Sequence, residues 1–227
     1  MGGTLYIVST PIGNLKDITK RSLEILENVD LIAAEDTRIT KRLLNHFDIK
    51  NNLISYNDYN ENRKYEYLLD VLKNNKDIAV VSDAGTPCIS DPGYRIVNAA
   101  NILGFSVVTI PGPSSAIAAL SISGLPSDSF YFEGFLPKKK GRTKKLNYLK
   151  ELDCTVIIFE SPKRLLKTLN DIFFILGNRV VSLCKELTKL HENVTFGYLE
   201  SVIKEINTSV KGEYTILIAK EKYKIDE

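Results

Sequence analysis

Residues 77–93 read DIAVVSDAGTPCISDPG, and this stretch decides the fold. Ile78-Ala79-Val80-Val81 is a short apolar run of the kind buried on both faces of a parallel sheet. It ends at Ser82-Asp83 and enters a twelve-residue loop with two Asp, two Gly and two Pro. A strand-to-helix connection ordinarily needs only about 2–6 residues, so the loop has more to do than turn the chain. Gly85 and Gly93 let backbone approach a ligand closely, and Pro87 and Pro92 stiffen the frame. Asp83 sits at the strand tip, placed to accept hydrogen bonds from hydroxyls or to face a cation. Open α/β sheets bind ligands at this carboxyl edge, where strand ends and helix starts leave backbone groups unpaired. The alternative is a βα turn with no ligand.

The flanking sequence repeats the pattern. Residues 5–8, 31–34, 53–56 and 106–110 read as strands. Helical stripes lie between them: Ile18, Leu23, Ile25, Leu26 and Val29 with Asp17 as expected N-cap; Leu43, Leu44 and Phe47; Tyr65, Leu68, Leu69 and Leu72. A last stripe, Ile96, Val97, Ala100 and Leu103, is stopped by Gly104. Repeated β-α-β units predict a mostly parallel, right-handed sheet covered on both faces. Pro111-Gly112-Pro113 breaks the series, giving an N-terminal α/β domain over 1–111 and a C-terminal α/β domain over 112–227. Ser114 is placed to cap the apolar helix that follows. Beyond it, strands are expected at 129–133, 155–159, 180–184 and 213–219, helices near 163–176 and 199–206, and a long loop over 187–197. The turn at Gly212 and that loop imply some antiparallel pairing, hence a mixed sheet. Residues 220–227 read as a frayed tail.

Composition narrows the class. The 227 residues are 44% hydrophobic and 26% charged, with a net charge of +2, ordinary for a soluble globular protein. No apolar run approaches the ~18 residues of a membrane span, and MGGTLYIVSTPIGN lacks the basic start of a signal peptide. Tyr6 stands where a myristoylation signal needs Ser or Thr. Three scattered cysteines without a C-x-x-C read as reduced cytoplasmic thiols, and two isolated histidines argue against a metal site. Neither G-x-G-x-x-G nor G-x-x-x-x-G-K-[ST] is present, which argues against dinucleotide and P-loop chemistry.

Five clusters fall at strand ends: 9–14 (STPIGN), 35–38 (EDTR), 57–61 (NDYNE), 82–93 and 111–114 (PGPS). In a parallel sheet all of them share one edge. Few basic residues accompany the glycines, so a cationic or zwitterionic ligand suits this edge better than a polyphosphate.

Taken in order, TPIGNLKDIT (10–19), EDTR (35–38), SDAGTPCISDPG (82–93), IPGPSSAIAAL (110–120), SGLPSDSFYFEGFLPKKKGR (123–142), FESPKR (159–164), KELTKLHE (185–192) and KGEY (211–214) closely resemble the bacterial 16S ribosomal RNA cytidine 2′-O-methyltransferases of the tetrapyrrole-methylase superfamily. The resemblance covers nearly the whole chain. It implies a two-domain α/β fold with an interdomain cleft that binds S-adenosylmethionine, a homodimer, and methylation of a ribose in the 16S rRNA of the small ribosomal subunit. It places cofactor contacts on Thr10, Pro11, Ile12 and Gly13; on Asp83, Ala84, Gly85, Thr86, Pro87 and Ile89; on Pro111, Gly112, Ser114, Ser115 and Ala116; and on Phe135. No metal is implied. The chain departs from the family at Asn57, Tyr59 and Lys163, where histidines are expected, and at Lys185, where arginine is common. It also stops short of a C-terminal extension found in some members.

Methyl transfer to a hydroxyl needs alignment and a proton acceptor. Lys185 is a candidate base, since a cation beside a lysine favours its neutral amine. Glu186 or Glu35 are candidates to orient the hydroxyl, and Arg38 shares their edge. Glu35, Asp36 and Arg38 are equally readable as a helix-capping ion pair. His191-Glu192 reads as a loop contact. Lys138, Lys139, Lys140, Arg142, Lys144 and Lys145 form a basic arm, either a solvated loop or an RNA-phosphate contact. Tyr56, Tyr59 and Tyr67 are candidates for base stacking, whereas Tyr65 suits the core. Two rival functions share these features: a superfamily methylase acting on a tetrapyrrole or a protein side chain, which would not need the basic arm, and a non-catalytic ribosome-binding factor, which would not need the cofactor loops.

Overall fold

A computed structural model describes residues 2–206 and 211–225. Met1 and the last two residues of the expected tail lie outside the described residues. The chain divides into two compact units, Met1–Ser114 and Ser115–Glu227. Pro111-Gly112-Pro113, expected as the hinge, stays with the first unit.

The first unit runs β1 (Thr4–Val8), α1 (Lys20–Asn28), β2 (Leu31–Ala34), α2 (Thr37–His46), β3 (Leu53–Ser55), α3 (Glu61–Lys73), β4 (Ile78–Val81), α4 (Tyr94–Ile102) and β5 (Ser106–Ile110). Its sheet has the order β3-β2-β4-β1-β5 with every pair parallel. Strands β2 and β4 are apolar throughout because both faces are covered. Leu31, Ala33, Ile78 and Val80 face one core with Leu68 and Leu72 of α3 and Ile96 of α4. Their neighbours Ile32, Ala34, Ala79 and Val81 face the other, with Leu26 of α1 and Leu44 of α2. Helix α1 is capped by Thr19, whose hydroxyl accepts from Ser22 N, and not by Asp17, which lies in a separate short turn. Helix α4 stops as its sequence specifies. Gly104 takes φ +75°, and the Phe105 and Gly104 amides donate to the carbonyls of Ala100 and Asn101.

The second unit runs α5 (Ser115–Ile122), β6 (Phe130–Phe135), α6 (Arg142–Lys150), β7 (Thr155–Glu160), α7 (Leu165–Leu176), β8 (Val180–Lys185), β9 (Asn193–Tyr198), α8 (Leu199–Glu205) and β10 (Tyr214–Ile218). Its mixed sheet has the order β6-β7-β10-β8-β9, parallel only between β6 and β7. Three expectations are corrected here. Strand β9 occupies the second half of the segment read as a loop; it is an edge strand with Gly197 interrupting its alternation. Helix α6 takes up the second half of the basic run, holding Leu146 and Leu149 against the core. The expected tail is tied down over its described part: the Tyr223 hydroxyl donates to the Gly124 carbonyl at 3.3 Å. No described helix is long and apolar enough to cross a membrane.

Candidate functional site

Parallel strands bring the first unit's loops to one edge, and hydrogen bonds join them into a frame. The Thr10 amide donates to the Gly85 carbonyl at 2.9 Å and the Gly85 amide returns to Thr10 at 3.1 Å, zipping the loops after β1 and β4. The Thr10 hydroxyl donates to Ser82 O at 3.2 Å. Thr86 links in the third loop: its hydroxyl lies 3.1 Å from the Ser9 hydroxyl and donates to Pro113 O at 3.1 Å. At Gly112 a Cβ would lie 2.9 Å from Ser9 Cβ, so only glycine permits that approach. Thr10, Gly85, Thr86 and Gly112 are thus brought together, with Gly13, Ala84, Ile89 and Pro111 exposed on the same loops.

The 82–93 loop is strained, with Cys88 at φ +69° and Ser90 at φ +63°. Non-glycine residues in such conformations cost roughly 1–3 kcal/mol each and persist only when the surroundings hold them. Part of that hold is Glu61, at the start of α3. Its Oε1 accepts from Gly93 N at 3.0 Å, Arg95 N at 3.4 Å and the Tyr56 hydroxyl at 3.1 Å, capping α4 from another helix because Gly93 has no side chain to do so. Sequence reasoning placed Glu61 in a polar cluster and missed this role. Tyr56, offered as a stacking surface, is 1% exposed and belongs to the core; Tyr59, by contrast, is 98% exposed.

Glu35 and Asp83 form a reciprocal latch between the ends of β2 and β4. Glu35 Oε2 accepts from Asp83 N at 3.2 Å, and Asp83 Oδ1 accepts from Asp36 N at 2.9 Å. Burial, ahead of the neighbouring carboxylates, raises both Glu35 and Asp83 above their ordinary range. Asp91 is pushed up to about 7, by burial first and then by the charge of Glu35. Asp36 caps α2 by accepting from Arg38 N and pairs with the Arg38 guanidinium at 2.5 Å, which holds it down to about 2. The helix-capping alternative for Asp36 and Arg38 is the one the structure draws. Beside the latch lies a pocket of about 200 Å³, lined by Thr10, Pro11 and Asp83 together with apolar Leu15, Ile39 and Leu43. Its α2 wall was legible only as the spacing of Ile39 and Leu43, four residues apart on one helix face.

The second unit gathers its candidates at the ends of β6, β7 and β8. Phe135 is 56% exposed and packs edge-on against Phe159, with ring centroids 5.7 Å apart. Ser115 and Ala116 open α5. Lys185 ends β8 and sits in register with Tyr214 and Asn193; its ammonium makes no ion pair among the described residues. Glu186 is committed to the chain. Its Oε1 accepts from Glu213 N at 2.8 Å and Lys189 Nζ at 3.1 Å; burial opposes its ionisation, but these donors prevail and lower it. The Glu192 carboxylate accepts from Thr188 N, and His191 is exposed.

The basic arm divides. Lys138, Lys139, Lys140 and Lys144 are exposed. Arg142 is not an exposed contact: its side chain is 8% exposed and its Nε pairs with Asp171 at 2.8 Å. It turns inward because it opens α6 on the face that carries Leu146 and Leu149. Lys145 is likewise held, by Glu133 at 3.2 Å.

The model of the tetrapyrrole (corrin/porphyrin) methylases matches residues 4–203. The chain is 50% identical over 218 residues to the ribosomal RNA small subunit methyltransferase I of Halalkalibacterium halodurans, covering 95% of this chain and 75% of that one. It is 51% identical over 221 residues to the Escherichia coli O157:H7 protein of the same name, covering 95% and 77%. Among solved structures it is similar to uroporphyrin-III C-methyltransferase from Thermus thermophilus complexed with S-adenosylhomocysteine, with TM-score 0.66, 18% identity, and coverage of 95% and 97%. A likeness at that identity concerns the fold alone.

Proposed function

Since the chain belongs to the tetrapyrrole methylase family, we propose that it uses S-adenosylmethionine to methylate the 2′-hydroxyl of a cytidine ribose in the 16S rRNA of the small ribosomal subunit, acting in the cytoplasm as a homodimer. The observation that carries this reading is identity of about half across 95% of the chain to proteins named for rRNA methylation.

The residues present suit the cofactor. The frame of Thr10, Gly85, Thr86 and Gly112 offers backbone groups and hydroxyls where loops approach closely. The half-buried carboxylates of Glu35, Asp83 and Asp91 repel one another, so a cation relieves the edge where a polyphosphate would burden it. Thr10 to Gly13, Asp83 to Ile89, Pro111 to Ala116 and Phe135 are the proposed contacts. S-adenosylmethionine, when bound, supplies an electrophilic methyl group. The chain must supply alignment and a group that takes the hydroxyl proton. Lys185, free of an acidic partner among the described residues, is the proposed acceptor, with Glu35 to orient the hydroxyl; Glu186 holds its own loop instead. Lys138, Lys139, Lys140 and Lys144 are the proposed phosphate contacts.

The test is methyl transfer from labelled S-adenosylmethionine to purified small ribosomal subunits, with nucleotide mapping. Label on the 2′-oxygen of a cytidine is expected. Label on a base, or no transfer to any form of the subunit, overturns the reading.

A further inference from the structure

The proposed RNA-contacting loop, 136–141, joins β6 to α6, and both of its carbonyls nearest β6 are pinned from beneath. Arg164 Nη2 donates to Leu136 O at 2.7 Å, and Arg142 Nη1 donates to Pro137 O at 3.2 Å. The two arginines are tied to one buried carboxylate. Glu160, whose side chain is 0% exposed, lies 3.4 Å from Arg164 Nε, and its other oxygen accepts from the Thr168 hydroxyl at 2.6 Å. Thr168 in turn accepts from Arg142 Nη2 at 2.8 Å, and Arg142 Nε pairs with Asp171 at 2.8 Å. Two cations and two anions are thus balanced, and none of their polar atoms is among those left buried without a partner.

Burying such a network is a poor way to gain stability, since well-packed apolar side chains of similar volume do as well or better. What it achieves is geometric. It fixes two successive carbonyls at the root of a loop whose next three residues, Lys138, Lys139 and Lys140, are exposed. A third bond, Arg142 N to Lys139 O at 3.2 Å, closes the loop onto the helix. A loop ordered beforehand surrenders less freedom on binding than one ordered by its ligand.

We propose that Arg142, Arg164 and Thr168, assembled on Glu160, are positioning residues that present Lys138, Lys139 and Lys140 as a preset cradle for RNA phosphates. The proposal rests on the rRNA reading above for its ligand, but the clamp itself is open to a test without RNA. Thr168→Val keeps the shape of the side chain and removes the hydroxyl relay. In the folded protein it should speed tryptic cleavage at residues 138–140 roughly ten-fold or more, because cleavage follows the population of the open loop. Thr168→Ser should behave as wild type.

On purified small subunits, Thr168→Val should weaken binding roughly three- to ten-fold while leaving S-adenosylmethionine affinity unchanged. The triple variant K138A/K139A/K140A should flatten the dependence of log affinity on log salt by up to about three units. Adding Thr168→Val to that triple variant should weaken binding no further, since both changes act through the same lysines. If Thr168→Val does not fold, Arg164→Gln, which removes the bond to Leu136 from a more exposed side chain, should give the same pattern. Unchanged proteolysis, or an equal loss of binding with and without the lysines, overturns the clamp. Subunit binding by the triple variant at wild-type strength and slope overturns the phosphate cradle and the RNA role of this loop, whatever the proteolysis shows.

Discussion

Replacing Glu61 by alanine should damage the first unit more than an exposed helix-start glutamate would suggest. The Glu61 side chain is 13% exposed and supplies the acceptor for three donors. Two of them, the Gly93 amide and the Tyr56 hydroxyl, belong to buried residues and lose their acceptor once the carboxylate is gone. An orphaned buried donor costs about 1–3 kcal/mol, so Glu61→Ala should cost roughly 3 kcal/mol. Tyr56→Phe alone loses one bond to a charged acceptor, about 1.5–3 kcal/mol. In the Glu61→Ala background, however, Tyr56→Phe removes a stranded hydroxyl, so its cost should fall to about zero or change sign. Urea denaturation of the four proteins in the cycle gives the coupling, and amide exchange in α4 shows whether the loss is local to that helix. A Tyr56→Phe penalty of equal size in both backgrounds would mean that the hydroxyl does not depend on Glu61, and the role given to its carboxylate would be wrong.

Three further outcomes follow from the carboxylate edge and β8. Asp91, with an ordinary value of 3.8 raised to about 7, holds its proton more tightly folded than unfolded. Its contribution to stability is present below 3.8, is lost as pH rises toward 7, and is absent above; Asp91→Asn should therefore raise the melting temperature at pH 8 and change it little at pH 4, and parallel melting curves across that range would refute the assignment. Asp83→Asn should weaken S-adenosylmethionine by about 1–3 kcal/mol and S-adenosylhomocysteine, whose sulfur is a neutral thioether, by less, measured by calorimetry; equal losses for both would remove the sulfonium from the argument. Lys185→Met should abolish turnover while cofactor and subunit binding persist, and near wild-type turnover would leave alignment alone as the source of the rate.

The first unit was legible because its signals are local and repeated. An apolar run such as 78–81 is buried on both faces whatever its partners, and a polar or Gly/Pro-rich cluster after each run marks the same edge five times over. The second unit was less so. Strand β9 needs only one neighbour, and a glycine interrupts its alternation, so its pairing with β8 supplies order that its own pattern does not announce. Helix α6 is only nine residues long and begins inside a basic run, where two buried leucines make a faint stripe.

Charged side chains were the harder matter, and for one physical reason. A charge that binds a ligand and a charge that holds the chain have the same local sequence; they differ only in what faces them. Arg142 stands among five lysines, yet Asp171 and Thr168, far along the chain, draw it inward. Glu61 begins a helix, yet its acceptor serves a helix that starts more than thirty residues later. Glu186 follows Lys185 directly, yet the amide of Glu213 claims it, and the lysine beside it makes no ion pair among the described residues. In each case the holding charge braces a segment that carries other candidate groups: three exposed lysines, the strained 82–93 turn, and the half-buried Lys185. A binding loop can keep its reactive groups free only if something else fixes its backbone, and at the ends of strands, where ladder hydrogen bonds stop, a buried charge is strong enough to do so. The residues misread as contacts are therefore to be sought one step behind the contacts, at the root of each loop.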